Sequence, residues 1–258
     1  MSLTLAGERN LEYEVLDIGY ISPHILYEHK AKKAVARFLD IAVNEMRYSG
    51  GLEIKGIETY KQSIIVDDIP YAIYFKKCNV REYIGIMLFQ LLGGRTYTKV
   101  AIDIKNKFMI LSEIRGMHIS TSGLKNGLYT RSLGEQLNMS AAIGLRDRHA
   151  GNIIFQDDGI SHLDLNDYNP QNHDDPLYAL NLSYNDLMYN WKIERNPFEE
   201  GLELGISILQ ENFKRNSAEL NFYLSHLQQL SDIEVVVKRN VEYIIEGELL
   251  KIARRHKR

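Results

Sequence analysis

Apolar residues recur at helical spacing in some stretches of this chain and alternate strand-like in others, and the switches between the two patterns divide it into elements. Residues 23–47 read as a helix, with Ala34, Val35, Phe38, Leu39 and Val43 forming its stripe. Lys61-Gln62-Ser63-Ile64-Ile65-Val66 and Tyr71-Ala72-Ile73-Tyr74-Phe75-Lys76 read as two strands joined by Asp67-Asp68-Ile69-Pro70. A helix follows over 79–94, where Asn79 can cap, Gly93-Gly94 closes the end, and apolar residues nearly all round predict burial. Phe108 to Ile114 reads as a strand leading into Arg115-Gly116. Ser132-Leu133-Gly134-Glu135 has the form of a capping box and predicts a helix from there to about Gly144. Asn152-Ile153-Ile154-Phe155 and Ile160-Ser161-His162-Leu163 flank Gln156-Asp157-Asp158-Gly159, a strong hairpin signal. Beyond Asp175 the spacing predicts helices over about 176–190, 197–214, 217–230 and 232–255, with Leu202, Ile206, Leu209 and Phe213 along one face.

These elements describe an α+β chain, strand-rich in its N-terminal part and mostly helical afterwards. At 258 residues it can bury a sizeable core, as one two-lobed unit or two small domains. Hydrophobic residues at 45% and charged residues at 25% are ordinary for a soluble protein, and a net charge of −3 argues against a global nucleic-acid-binding role. The single cysteine, Cys78, excludes an internal disulfide framework and a multi-cysteine zinc site. No apolar stretch approaches a membrane span and no signal-peptide core is evident. The expectation is a cytoplasmic protein, and a secreted effector exported without a cleavable signal is the alternative. His24, Glu28 and His29 resemble metal ligands only faintly, and without supporting carboxylates or thiolates they read as solvated helix residues. The basic tail Lys251 to Arg258 either completes the dipole of the last helix or offers a docking patch to an acidic partner or lipid.

Candidate chemistry concentrates in Gly144-Leu145-Arg146-Asp147-Arg148-His149-Ala150-Gly151-Asn152, followed by His162-Leu163-Asp164. The hairpin brings Asn152, entering its first strand, near Asp164, leaving its second. An Asn oxygen and a carboxylate suit a hard divalent cation, and an upstream Asp can orient or take the proton of a hydroxyl. Taken singly, each of these residues is ordinary loop chemistry. The joint spacing, flanked by strands, is what holding Mg·ATP requires.

This run is similar to the catalytic and metal-binding loops of the phosphoinositide-3-kinase-like superfamily. Its Asp-x-His-x-Gly-Asn form also resembles the aminoglycoside and choline phosphotransferases. All are atypical members of the protein-kinase-like fold. The resemblance implies a two-lobed architecture using ATP and Mg²⁺, with a boundary near residue 115: residues 1–115 would hold the N-terminal helix and small lobe, and 116–258 the large lobe. It implies Asp147 as the catalytic Asp, Asn152 and Asp164 as magnesium ligands, and His149 as support for the transferring phosphate. Arg148 would contact the catalytic loop or a phosphate.

Such a fold also needs a lysine for the phosphates and a glutamate to hold it. Alternation places Ala72, Tyr74 and Lys76 on one strand face, with small Ala72 leaving room near adenine. Lys76 is the favoured lysine; Lys77, pointing the other way, is the alternative. Glu82, early on a buried helix, has few good environments unless it pairs with a cation. The bland reading is a first-turn carboxylate favoured by the helix dipole. The Arg-Glu-Tyr start and Leu-Leu-Gly end of that helix also look like the corresponding helix of HipA-like and aminoglycoside-type kinases. By the same resemblance, backbone groups of Glu113 and Ile114 would bond adenine.

The chain departs from the pattern twice. No Gly-x-Gly-x-x-Gly precedes the first strands; Ser49-Gly50-Gly51 and Gly56 are the candidates for a phosphate cradle. Asp164-Leu165-Asn166 stands where most relatives have Asp-Phe-Gly, and the acidic stretch Asp167 to Asp175 stands where phosphoinositide kinases carry basic residues. Acidic residues repel a polyanionic headgroup, so a phosphoinositide substrate is disfavoured. A protein Ser/Thr hydroxyl is favoured over a small-molecule hydroxyl, for which Tyr178, Tyr184, Tyr189 and Trp191 could line a pocket. AMP transfer and a non-transferring pseudokinase are the readings from other classes.

Overall fold

The computed structural model describes residues 23, 26–27, 29–56, 58–77, 79–103, 108–118, 126–145, 150–168, 193–225 and 233–255. The chain divides into two compact units, Met1–Tyr83 with Tyr97–Glu113, and Ile84–Thr96 with Ile114–Arg258. It is a mixed α/β protein, with an antiparallel sheet in its N-terminal part and a largely helical C-terminal part.

The first unit is built on a five-stranded antiparallel sheet in the order β1-β2-β3-β5-β4: β1 Met46–Gly56, β2 Thr59–Val66, β3 Ile69–Lys77, β4 Val100–Asp103 and β5 Phe108–Ser112. Helix α1 (His29–Leu39) lays Ala34, Val35 and Phe38 into a core with Ile64, Ile73, Phe75, Ala101 and Ile110. Because successive strand side chains alternate, Ala72, Tyr74 and Lys76 stand on the opposite face from Ile73 and Phe75. The β2–β3 connection is a two-residue turn, Asp67-Asp68, both with positive φ (48° and 62°) as the twist of a tight hairpin requires.

The predicted helix over 23–47 is too long. It ends at Leu39, where Asp40 turns left-handed (φ 62°), and after a short 3₁₀ turn the chain enters β1. That strand escaped the pattern because Ser49-Gly50-Gly51 interrupts its alternation. These glycines lie in the strand itself, at a register slip between Ser49 and Glu53, with Gly50 at φ 72°. The predicted strand over 108–114 ends at Ser112.

The second unit joins a three-stranded sheet to a set of helices. The sheet order is β6-β7-β8, from Met117–His118, Ile153–Gln156 and Gly159–His162. The helices are α3 (Gly127–Ala142), α4 (Arg195–Arg215), α5 (Ser217–Ser225), α6 (Ile233–Ile245) and α7 (Glu248–Arg255). Helix α2 (Val80–Leu91) begins in the first unit and continues into the second. Asn79 Oδ1 caps α2 by accepting from the N–H groups of Arg81 and Glu82, at 3.1 and 3.3 Å.

Helix α3 starts earlier than the predicted Ser132. Asn126 is its cap, accepting from Leu128 N–H at 2.9 Å, and Ser132 is buried inside the helix. The predicted helix over 232–255 is two helices, broken where Gly247 adopts φ 78°. The predicted helix over 176–190 lies outside the described residues, as do His24 and Glu28. Of the basic tail, Lys251 pairs with Glu248 at 2.5 Å, and Arg254 with Glu203 at 2.5 Å. These cations are answered within the chain. Among the described residues, no helix is long and apolar enough to cross a membrane.

Candidate functional site

In the first unit, Lys76 near the end of β3 reaches Glu82 in the first turn of α2, with Nζ 2.9 Å from the carboxylate. The Glu82 side chain is fully buried and that of Lys76 is 24% exposed. A carboxylate in that position costs several kcal/mol unless a cation answers it. Lys76 does so from a side chain that stays partly exposed. Lys77 points elsewhere, to Glu58 at 2.8 Å, and that pair is exposed on both sides. Thr59 lies opposite Lys76 across the sheet, so the end of the β1–β2 hairpin stands beside it.

Ala72 is buried on the same sheet face, and its neighbour beyond β5 is Glu113. Glu113 N–H donates to the Ala72 carbonyl at 3.1 Å, while its carboxylate accepts from Ala72 N–H at 3.0 Å. The Glu113 N–H thus extends the pairing with β3 beyond Ser112. Ile114 follows it, half-buried, at the start of the second unit's main stretch.

In the second unit, the β7–β8 hairpin forms as the pattern predicts, with Asp157-Asp158 at its turn. Leu163 N–H donates to the Asn152 carbonyl at 2.8 Å, so the backbone of Asn152 lies opposite Leu163 and Asp164 follows directly. Asn152 is buried at 4% exposure, Asp164 is half-buried, and Asp164 holds a left-handed backbone with φ 47°. Tyr129 of α3 stacks on Phe155 with ring centroids 4.2 Å apart, fixing the first strand against the helix. An amide oxygen and a carboxylate are hard oxygen donors, which fits Mg²⁺ and not a thiolate-seeking metal. The other expected residues, Asp147, Arg148 and His149, lie outside the described residues.

No family profile and no curated sequence matches the chain. Solved structures similar to it include WaaP in complex with acyl carrier protein, at 13% identity and a TM-score of 0.40, over 71% of this chain and 90% of that one. Another is an ethanolamine kinase of Plasmodium vivax, at 13% identity and a TM-score of 0.42, over 95% of this chain and 93% of that one.

Two sets of residues around these positions escaped the sequence pattern. Glu58 fixes Lys77 through its side chain and accepts from Lys77 N–H at 3.1 Å. Arg95 and Thr96, just past α2, bond to β8. Neither carries a periodic signal, because their partners are distant in sequence; the only cue was that a polar pair follows Gly93-Gly94 directly.

Proposed function

We propose that this chain transfers the γ-phosphoryl group of Mg·ATP to a hydroxyl, most directly a Ser or Thr of a protein. The observation that carries the reading is the ion pair between Lys76 and the fully buried Glu82. A buried ion pair is a poor way to gain stability, since apolar replacements often do as well. Its presence at the end of a central strand calls for another use. An ammonium has three N–H donors, so Lys76 can be oriented by Glu82 and still bond phosphate oxygens.

The remaining roles rest on the sequence resemblance. Asn152 and Asp164 would hold Mg²⁺, which when bound neutralises charge on the phosphates. Asp147 would position the acceptor hydroxyl, His149 would support the transferring group, and Arg148 would contact the loop or a phosphate. Ala72 and the Glu113–Ile114 segment would lie along the adenine. The acidic residues from Asp167 onward favour a basic peptide acceptor over a phosphoinositide.

Label transfer from γ-labelled Mg·ATP in cell extract tests this, with α-labelled ATP in parallel and Asp164→Asn as the control. The expected result is γ-label on a protein band that the variant does not produce. Label in the small-molecule fraction instead would replace the protein acceptor with a small hydroxyl compound. Transfer from the α position only would mean AMP transfer, and bound ATP without any transfer would mean a pseudokinase.

A further inference from the structure

The hairpin that ends at Asp164 has an outer strand, β8, at the edge of its sheet. An edge strand leaves backbone donors and acceptors to be satisfied elsewhere. Here they are met by one short segment and one helix. Arg95 Nη1 bonds the Asp158 carbonyl at 3.0 Å and its carboxylate at 3.0 Å, holding the turn. Ser132 Oγ of α3 accepts from Ile160 N–H at 3.0 Å, holding the middle. His162 N–H donates to the Arg95 carbonyl at 2.8 Å, and Thr96 Oγ1 donates to the His162 carbonyl at 2.8 Å, holding the end. The segment is itself anchored to α3, where Gln136 Oε1 accepts from Arg95 N–H at 2.6 Å and Glu135 lies 3.8 Å from the guanidinium.

On the far side of Asp164 the chain is gripped again. Leu165 passes so close to α2 that a Cβ on Gly85 would lie 2.3 Å from its carbonyl oxygen, with the Tyr168 ring also in the way. Gly85, Arg95 and Thr96 all belong to the stretch Ile84–Thr96 of the second unit. We propose that this stretch is a brace that sets the position of the Asp164 carboxylate by fixing its neighbours on both sides, His162 and Leu165. Gly85 and Thr96 are then positioning residues for the metal site, an inference that rests on the function proposed above.

The brace has a physical reason. Asp164 sits on a backbone conformation that Asp adopts uncommonly, and such a conformation persists only where the surroundings over-determine it. The Thr96 hydroxyl is the informative atom, because the residue is 7% exposed and its bond to His162 is fully buried. Removing a buried partner leaves an acceptor unsatisfied without creating a large void.

The test measures two things on the full chain, Mn²⁺ affinity in the presence of ADP and amide exchange over residues 160–166. Wild type, Thr96→Val, Thr96→Ser and Gly85→Ala are compared. The expected result for Thr96→Val is a loss of Mn²⁺ affinity of about fivefold to tenfold with faster exchange over 160–166 and unchanged exchange in α4. Thr96→Ser, which keeps the hydroxyl, restores both, and Gly85→Ala weakens Mn²⁺ in the same way. A folded Thr96→Val chain with wild-type affinity and exchange overturns the brace. Faster exchange with unchanged Mn²⁺ affinity also overturns it, as a device that positions the metal ligand. Failure of the wild type to take Mn²⁺ with nucleotide would overturn the proposed function itself, and with it this role.

Discussion

Asp164 carries its side chain on a left-handed backbone, φ 47°, and this decides how it should be tested. Short polar side chains visit that region because they can bond locally, whereas an ordinary L-residue pays about 1–2 kcal/mol. Asp164→Asn should therefore fold within about 0.5 kcal/mol of wild type, the usual scale of a change that breaks no special feature. Asp164→Ala should lose about 1 kcal/mol or more. Urea midpoints check the stabilities, and both variants should fail to bind Mn²⁺ with nucleotide. An Asn variant that binds as wild type would remove Asp164 from the metal site. Legibility at this scale depends on where a residue's partner lies. Glu82 could be read because a carboxylate on an apolar helix needs a cation, and Lys76 was the nearest one on the right strand face. Glu113 could not, because its partner, the Ala72 backbone, is set by how strands pair across the sheet.

Helices α3 and α4 meet backbone to backbone, with Gly134, Gly201 and Gly205 at their contact. A Cβ on Gly201 would lie 1.9 Å from the Arg131 carbonyl oxygen, so any side chain there must push the helices apart. Helix propensity alone favours Gly201→Ala by about 1 kcal/mol. Overpacking opposes it by about 1–3 kcal/mol or more where backbone must shift. The variant should therefore melt earlier than wild type, and a thermal scan gives the sign. A raised midpoint would mean that the contact is looser than described. The same helix shows why element ends were less legible than elements. Ser132 and Glu135 have capping spacing, yet Ser132 serves as an acceptor for Ile160, and the cap is Asn126. The β7–β8 hairpin and α2 were legible because turn chemistry and apolar spacing are local. Strands β1, β4 and β6 were not, being interrupted by glycine or too short to show a period.

At the scale of the molecule, each compact unit holds part of the proposed machinery in its own framework. The first unit's sheet carries Ala72 and Lys76, with Glu82 paired to Lys76 and Glu113 following β5. The second unit's hairpin carries Asn152 and Asp164. The α+β architecture followed from the order of strand-like and helix-like stretches, and the structure has it. The central claim is that Lys76 and Glu82 are paired for phosphoryl transfer and not merely for folding. The double variant Lys76→Met/Glu82→Gln separates the two. Losing one partner should cost about 3–5 kcal/mol, whereas replacing both can be nearly neutral. The measurement is the rate of γ-phosphoryl transfer by the double variant beside its melting midpoint. The account predicts a midpoint recovered relative to Lys76→Met with transfer still lost by at least about a hundredfold, the scale of losing one preorganised group. A double variant that transfers at the wild-type rate would contradict it.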